Sequence, residues 1–411
     1  MLTPALLHWL QSDEAAPWLE TLTATPPDDT ELLTVLTRLR RRFAPEQAAA
    51  LVEMARLRRR GRAKFGEQAR HLFFSRELLE QASPPPVATH TAARFVGRPW
   101  VADLGCGLGA DSLALAAAGP QVLALDRAEL ALRLTAVNAR VGGLADRVHP
   151  VRGDITRPCW RLSAAWADPT RRREDTEATR VFDPEGWQPP LSVLLGLRTL
   201  TPDLGLKLAP GLPHDRIPPE AEAEWISLNG ELKEAVLWLG GLARGAVRRA
   251  TLLPAGVEIV AAGAVAAVRP PGAWLYEPDP AIIRAGAVGD VAVRLGLWQL
   301  DPTVAYLSGE AVPATPLVRG WPILDHVPFD LKALNRRLRQ LDGEVVAVKK
   351  RGSPLDPEAF RRRLAGRPGG RPLLVVLTRV AGRPWVLIAD AAIPDGPGMR
   401  PSPFPHLTRP G

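Results

Sequence analysis

The stretch that most constrains the fold of this chain is residues 100–126, which read WVADLGCGLGADSLALAAAGPQVLALD. Apolar runs of strand length flank a glycine-rich turn and a short segment of small, helix-forming residues. We therefore predict a strand at Trp100 to Asp103, followed by a turn at Gly105 to Gly109. A helix is predicted at Ser112 to Ala118 and stops at Gly119-Pro120. A second strand is predicted at Val122 to Leu125, and Asp126 closes it. Asp111 or Ser112 is predicted to cap the helix. This order of elements is typical of a parallel α/β sheet.

The turn itself predicts a ligand site. Gly105, Gly107 and Gly109 let the backbone adopt positive φ and approach a ligand without an intervening Cβ. Their spacing differs from the Gly-x-Gly-x-x-Gly that seats a pyrophosphate on a helix N-terminus. Asp103 and Asp111 flank the turn, and their carboxylates would repel phosphates. They suit a cationic ligand that carries an amino group, such as S-adenosylmethionine.

These residues carry a resemblance to a known class. The segment DLGCGLGAD resembles the first motif of class I S-adenosylmethionine-dependent methyltransferases. The longer pattern from Arg62 to the C-terminus resembles bacterial methyltransferases with a C-terminal THUMP-like domain. The resemblance implies an α/β fold: a Rossmann-like, seven-stranded methyltransferase sheet, a helical N-terminal region and a small α/β THUMP-like C-terminal domain. It also implies that S-adenosylmethionine is the cofactor.

The same resemblance assigns three acids to parts of the cofactor, which lies over Gly105 to Gly109. Asp103 would lie near the amino-acid moiety, and Asp126 would accept hydrogen bonds from the ribose hydroxyls. Asp154, which follows a predicted third strand at Val148 to Val151, is spaced like the acid that contacts the adenine amino group. For Asp154 the alternative is a loop acid that caps the following turn.

The fourth predicted strand, Ser163 to Ala167, leads into a candidate catalytic loop. The loop reads Asp168-Pro169-Thr170-Arg171-Arg172, close to the Asp-Pro-Ala-Arg-Arg of the THUMP-like family. Asp168 and the Pro169 carbonyl would hold an exocyclic amine, or Asp168 would accept a proton from another nucleophile. The aromatic residue that would stack on a base is missing, which counts against the amine. Arg171 and Arg172 would clamp a phosphate; an Asp-Pro turn paired with its own arginines is the structural alternative.

The chain predicts four parts: a helical domain at 1–83, the methyltransferase domain at 84–270, the THUMP-like domain at 271–392 and a flexible tail at 393–411. The last three strands of the methyltransferase sheet are predicted at Leu204 to Leu208, Glu224 to Leu228 and Arg249 to Pro254, with a helix at Gly230 to Leu239. Lys207 lies inside a strand, and we favour the wet end of that strand over a position facing the substrate.

Charge is concentrated in two blocks. The chain has 52 basic and 44 acidic residues, a net charge of +8. Residues 38–76 hold 12 basic and 3 acidic residues, and residues 332–379 hold 13 and 4. Blocks of this kind indicate contacts with the phosphates of a nucleic acid, although solvated helix faces give the same pattern. We predict that Lys349, Lys350 and Arg351 bind RNA.

Several classes are excluded or disfavoured. The two cysteines, Cys106 and Cys159, exclude a disulfide framework and a cysteine-based zinc cluster. Cys106 is predicted to be a small buried residue, and Glu277 and Asp279 are predicted to cap a helix rather than bind a metal. We therefore expect no metal. The apolar runs are too short to cross a bilayer, and the N-terminus lacks a basic leader, so we expect a cytoplasmic protein. The oligomeric state stays open.

The leading hypothesis is a methyltransferase that acts on RNA, either tRNA or rRNA. Two alternatives remain. The first is a non-catalytic RNA-binding or assembly factor that keeps the fold, which the altered loop at Asp168 would permit. The second is a methyltransferase for protein or small-molecule substrates, with the flanking domains as lids.

Overall fold

The computed structural model describes residues 2–157, 161–169, 184–186, 189–312 and 314–392. The chain divides into two compact units, Met1–Ala221 with Val236–Arg244 and Glu222–Ala235 with Gly245–Gly411. The predictions made for Cys159, Arg171, Arg172 and the tail at 393–411 lie outside the described residues. Among the residues that are described, no helix is both long and apolar enough to cross a membrane.

The first unit begins with helices and continues with an α/β sheet. Its helices and strands are α1 Pro4–Trp9, α2 Ala16–Ala24, α3 Leu32–Leu39, α4 Pro45–Phe65, α5 Arg76–Gln81, α6 Pro85–Ala92, β1 Trp100–Leu104, α7 Ala110–Ala117, β2 Gln121–Asp126, α8 Glu129–Val141, β3 Val148–Arg152, β4 Ala164–Ala167, α9 Leu191–Gly196 and β5 Asp203–Leu208. Short 3-10 turns follow α4, α6 and α9. The predicted helical N-terminal region is therefore present.

The N-terminal helices share a core with the glycine turn and with α8. Buried residues of α1 to α5 form one apolar cluster with Leu108 of the glycine turn and Leu134 and Val137 of α8. Between α4 and α5, Phe74 is fully buried, and its ring centroid lies 5.6 Å from that of Phe65. The apolar residues around Phe74 therefore bind the helical region to the rest of the unit.

The sheet of the first unit is parallel, with strand order β3-β2-β1-β4-β5. β1 and β4 are buried almost throughout, as expected of parallel strands covered on both faces. The chain reverses its winding direction between β1 and β4, and open α/β sheets bind their ligands beyond the carboxyl ends of the strands at such a point. That edge of the sheet is the expected ligand site.

The second unit contains two groups of strands. Its elements are β6 Glu222–Leu228, β7 Glu231–Leu239, β8 Arg248–Leu253, β9 Val257–Val260, β10 Trp274–Pro278, α10 Pro280–Ala285, α11 Val288–Leu295, β11 Trp298–Gln299, β12 Leu307–Gly309, β13 Val318–Pro328, α12 Leu331–Gln340, β14 Gly343–Lys350, α13 Pro357–Arg361, β15 Arg371–Val380 and β16 Arg383–Asp390; the residues of β7 from Val236 onward belong to the first unit. β8 pairs with β6 in parallel and with β9 antiparallel. β10 to β16 form a seven-stranded sheet of order β11-β12-β10-β13-β16-β15-β14.

The predicted strand count is wrong. Between residues 100 and 260, the described part of the chain contains nine strands rather than seven. The predicted helix at Gly230 to Leu239 is strand β7, and β9 is a further strand. Asn229 and Gly230 both have positive φ, 51° and 79°, as a two-residue hairpin turn requires. The short apolar run after this turn fits a buried strand as well as a helix, so periodicity alone could not decide.

Candidate active site

The glycine turn lies where β1, β2 and β4 end. The amide of Gly105, directly after β1, donates a hydrogen bond of 2.8 Å to the Leu125 carbonyl of β2. The amide of Asp168, directly after β4, donates one of 3.2 Å to the Leu104 carbonyl. The topology therefore brings Asp168 beside Gly105, a residue of the turn that lies far earlier in the chain.

All three glycines of the turn have a positive φ, and at two of them a side chain would also crowd neighbouring atoms. Gly105 has a φ of +93°, and a Cβ there would lie 3.0 Å from the Asp168 carbonyl oxygen. Gly109 has a φ of +90°, and a Cβ there would lie 3.1 Å from the Cα of Thr135. Gly109 is also the N-cap of α7, which starts at Ala110. The prediction that Asp111 or Ser112 caps this helix is wrong, since both lie inside its first turn.

The Asp103 and Asp111 carboxylates are buried next to this turn. Asp103 Oδ2 accepts a short hydrogen bond from the Ser112 hydroxyl, and Asp111 Oδ2 accepts one of 2.9 Å from the Ser83 hydroxyl. Within the described part of the chain, the Oδ1 atoms of both aspartates lack a hydrogen bond of good geometry, although the Trp166 indole lies near Asp111 and lowers its pKa. Burial, reinforced by the Asp111 charge, raises the pKa of Asp103 to about 8. Burial also raises the pKa of Asp111, while the Lys207 ammonium opposes that rise.

Asp126 and Asp154 lie at the ends of β2 and β3 and already hold local backbone. Asp126 Oδ2 accepts a 3.1 Å hydrogen bond from the Gly107 amide, and its Oδ1 accepts one of 2.9 Å from the Ala128 amide. Asp154 Oδ1 accepts hydrogen bonds from the amide and hydroxyl of Thr156, which lower the Asp154 pKa. Asp154 therefore caps a turn, as its alternative interpretation predicts. Each carboxylate oxygen has a second lone pair that a ligand can use.

Asp168 forms an ion pair with Lys207 of β5. The distance between Lys207 Nζ and Asp168 Oδ2 is 2.7 Å, and Lys207 Nζ also donates a 2.9 Å hydrogen bond to the Ser83 hydroxyl. Lys207 is only 7% exposed. Our preference for a wet position of Lys207 is therefore wrong, because the β5 backbone directs this side chain to the acidic cluster.

Cys106 lies inside the turn and is buried, as the sequence predicts. Its thiol accepts a hydrogen bond from the Thr135 hydroxyl at 3.4 Å. Burial raises the pKa of Cys106 well above its usual value, which makes it a poor nucleophile at neutral pH.

The sequence did not predict the contacts that three residues make in this site: Ser83, Ser112 and Asn138. The Asn138 amide joins the Phe73 backbone to the Leu108 carbonyl of the turn through hydrogen bonds of 2.8 to 3.0 Å. Partners such as Ser83 and Asp111 lie far apart in the chain, and no local pattern marks such a pair. A buried polar residue on an otherwise apolar helix face, such as Asn138, is the one signal that was present.

The basic residues predicted to bind RNA lie at the end of β14 in the second unit. Glu277 forms ion pairs with Lys349 and with Arg351, the latter at 3.2 Å. Lys350, between them, is exposed. Asp279 caps α10, as predicted, by accepting a 2.7 Å hydrogen bond from the Ala281 amide, whereas Glu277 caps nothing among the described elements.

The cluster at the glycine turn fits a ligand with an amino group. An ammonium supplies N–H donors and a positive charge, and the two unpartnered Oδ1 atoms of Asp103 and Asp111 supply buried acceptors that carry negative charge when these acids are ionised. These features match the amino-acid end of S-adenosylmethionine.

Comparisons with known proteins agree with this geometry. The family model THUMP domain-like matches residues 318–391, and a domain of unknown function (DUF8688) matches residues 3–61. An uncharacterized S-adenosylmethionine-dependent methyltransferase of Mycobacterium tuberculosis, recorded from two strains, is 38% identical over 352 residues, which are 83% of this chain and 95% of the relative. A crystal structure of a protein designated a methyltransferase from Porphyromonas gingivalis is 22% identical, covers 89% of this chain and 99% of its own, and gives a TM-score of 0.68, which shows a shared fold.

The strand order, the glycine turn with its acids and the near full-length relative agree with one another. The fold is the Rossmann-like methyltransferase fold that the sequence predicts, with a THUMP-like domain toward the C-terminus. The chain belongs to the family of S-adenosylmethionine-dependent methyltransferases and uses S-adenosylmethionine as its cofactor.

Proposed function

We propose that this methyltransferase modifies RNA, either tRNA or rRNA, and binds it through the basic surface of its THUMP-like domain. The observation that carries the RNA assignment is a group of exposed cations on two neighbouring segments of that domain. The cofactor site and the acceptor site are assigned to the glycine turn and to Asp168, respectively.

We assign the contacts with the cofactor to carboxylate oxygens that can still accept a hydrogen bond. The unpartnered oxygens of Asp103 and Asp111 bind the ammonium of S-adenosylmethionine, over the turn that runs from Gly105 to Gly109. Asp126 accepts hydrogen bonds from the ribose through the second lone pairs of its oxygens. Asp154 contacts the adenine with Oδ2, whose nearest described cation is Arg127 at 3.9 Å.

The methyl acceptor is assigned to the loop after β4. Bound S-adenosylmethionine supplies an electrophilic methyl group, and catalysis then consists mainly of aligning the nucleophile with it. Asp168 and the Pro169 carbonyl hold an exocyclic amine, or Asp168 takes the proton from another nucleophile. The Asp168 backbone packs against Gly105, so this loop lies directly beside the cofactor turn.

The cationic face consists of six exposed side chains on α12 and on the end of α13: Lys332, Arg336, Arg339, Arg361, Arg362 and Arg363. Asn335 of α12 holds the two segments together, since its amide bonds to the Arg363 carbonyl at 3.1 Å and to the Ala365 amide at 2.7 Å. No ion pair engages these six cations within the described part of the chain. Unpaired cations on one face favour a phosphate backbone as partner.

Lys350 extends the RNA surface that we assign to this domain. Lys349 and Arg351 contribute less, because Glu277 already neutralises part of their charge. Their proposed contact with RNA therefore depends on rearrangement of the Glu277 pairs.

The experiment is the salt dependence of tRNA binding by the full-length protein. The slope of log K against log[salt] is negative, and each lost phosphate contact makes it shallower by about 0.7 to 0.9. Replacing Lys332, Arg336 and Arg339 together by Gln should make that slope shallower by about 2. The matched control is Arg367→Gln, since Arg367 is exposed but paired with Asp342 at 2.6 Å, outside the cationic face.

Two outcomes would contradict the proposal. If tRNA and rRNA are not retained even at low salt, RNA is not the substrate, and protein or small-molecule acceptors become the better hypothesis. If RNA binds but the triple variant and Arg367→Gln behave alike, the cationic face is not the contact surface. Transfer of labelled methyl groups to RNA from a strain lacking this protein then tests catalysis, and Asp168→Asn should reduce it.

A further inference from the structure

Lys207 is a buried cation among the carboxylates of the proposed active site. Its ammonium lies 2.7 Å from Asp168 Oδ2 and 2.9 Å from the Ser83 hydroxyl, which in turn donates to Asp111 Oδ2 at 2.9 Å. A chain of contacts thus joins the acid assigned to the methyl acceptor with an acid assigned to the cofactor. Lys207 stands at the centre of that chain.

We propose that Lys207 is a positioning residue of the methyl-transfer site, which fixes the Asp168 carboxylate through Oδ2 and offsets its charge toward the cofactor sulfonium. This inference rests on the proposed function, because it assumes that Asp168 faces the methyl group. Ser83 fixes the ammonium from the other side, so Lys207 cannot swing away without breaking a second hydrogen bond.

The burial of the two partners supports a fixed geometry. The Lys207 side chain is 8% exposed and the Asp168 side chain is 26% exposed. A lysine on a mobile surface contributes little to the orientation of its partner, because solvent screens it and its rotamers interconvert. A buried ammonium held by two acceptors has neither freedom.

The charge of Lys207 has a measurable consequence for ligands that differ in one charge. S-adenosylmethionine carries a sulfonium, whereas S-adenosylhomocysteine has a neutral thioether at the same position. If Lys207 offsets the Asp168 charge, removing the lysine charge leaves that carboxylate uncompensated, and the net attraction of the site for the sulfonium becomes stronger. The ratio of the dissociation constants, S-adenosylhomocysteine over S-adenosylmethionine, should then rise.

The experiment is calorimetric titration of the full-length protein with both ligands. In Lys207→Met and in Lys207→Gln the ratio should rise on the order of tenfold, as expected of two charges at close range in a partly buried site. Lys207→Gln keeps length and polarity, so it tests the same point if Lys207→Met does not fold. Lys207→Arg keeps the charge and should leave the ratio within about twofold of the native protein.

Asp168→Asn separates this inference from the proposed function. In the native background it should lower the ratio. In combination with Lys207→Gln it should bring the ratio back near the native value, because the pair then carries the same net charge as in the native protein. If Asp168→Asn lowers the ratio but neither neutral Lys207 variant raises it, Lys207 has only a structural role and the inference fails alone. If neither position affects the ratio, Asp168 does not face the sulfonium, and the proposed acceptor site fails with the inference.

Discussion

At the scale of single residues, the raised pKa of Asp103 predicts that cofactor binding at the proposed site depends on pH. Its pKa of about 8 leaves much of the carboxyl protonated at neutral pH. A protonated Asp103 offers the ammonium of S-adenosylmethionine no charge, so binding favours the ionised form. We expect affinity for S-adenosylmethionine to rise from pH 6 to pH 8 and proton release on binding, both measured by calorimetry in buffers of different ionisation enthalpy.

The control is Asp103→Asn, which should bind more weakly and with little pH dependence over that range. The same pKa has a consequence for stability without cofactor. An acid whose pKa is raised in the folded state contributes stability at low pH, and that contribution is lost as pH rises from the unfolded value of 3.8 through about 8. If the affinity of the native protein for S-adenosylmethionine does not change between pH 6 and pH 8, the predicted pH dependence of binding is wrong.

Gly105 is the second residue with a testable role. Gly105→Ala places a Cβ 3.0 Å from the Asp168 carbonyl oxygen at a φ of +93°. The backbone conformation alone costs about 1–2 kcal/mol for a residue other than glycine. The crowding should also displace the Asp168 loop and weaken S-adenosylmethionine binding by about tenfold or more, equivalent to at least about 1.4 kcal/mol.

Gly97→Ala is the matched comparison for Gly105→Ala. Gly97 has a φ of +84°, and a Cβ there would have no atom within 4 Å. Its replacement should reduce the free energy of unfolding but leave cofactor affinity unchanged. Equal losses of affinity in the two variants would show that the contact with Asp168 is irrelevant.

At the scale of elements, Lys64 links α4 to the C-terminus of α5. Its ammonium donates to the carbonyl oxygens of Leu79, Glu80 and Ala82 at 2.6, 3.0 and 2.9 Å. A cation suits a helix C-terminus, where carbonyls are left without helical partners. Lys64→Met should lower the free energy of unfolding by about 1–3 kcal/mol and speed amide hydrogen exchange at residues 76–83.

Arg60→Gln, one turn earlier on α4, provides the control for Lys64→Met. Arg60 and its partner Glu80 are both more than half exposed, at a distance of 3.3 Å. Such a pair contributes at most about 1 kcal/mol. If both variants unfold at the same denaturant concentration as the native protein, Lys64 does not hold α5.

Sequence patterns predict the elements of this chain better than they predict its side-chain contacts. The parallel strands have long apolar runs and glycine stops, so β1 to β5 could be placed within about two residues. β7 was mistaken for a helix, although Asn229-Gly230 marks a hairpin turn. The ends of strands predict that Asp103, Asp126 and Asp168 converge, but nothing local predicts that Lys207 reaches Asp168. Such contacts depend on strand register across the sheet, which one-dimensional periodicity does not contain.

At the scale of the whole molecule, net charge overstates the cations available to RNA. The chain carries a net charge of +8, yet some basic residues hold the protein together. Lys64 caps a helix, Arg58 is buried and bonds to the Leu72 carbonyl at 3.0 Å, and Lys349 pairs with Glu277. A count of arginines and lysines therefore predicts the kind of partner but not the contact surface.

Hydrogen exchange of the full chain tests the two sites together. Saturating S-adenosylmethionine should slow exchange at residues 103–112 and 124–128, which contain the turn and the end of β2. It should leave residues 331–364, which contain α12 and α13, unchanged, and added tRNA should protect those residues instead. Protection by tRNA at residues 38–76 alone would instead assign RNA binding to the N-terminal basic block.

The hydroxyl of Ser83 touches both Asp111 and Lys207, and it follows directly on the helix that Lys64 clamps. A gene fusion that exchanged everything before Pro84 would therefore also exchange part of the chemistry. Recombination within this lineage should preserve the stretch from α4 through the glycine turn as one inherited block. A chimaera that joins the N-terminal segment of another protein to residue 84 would need a serine at the position of Ser83 to recover native turnover.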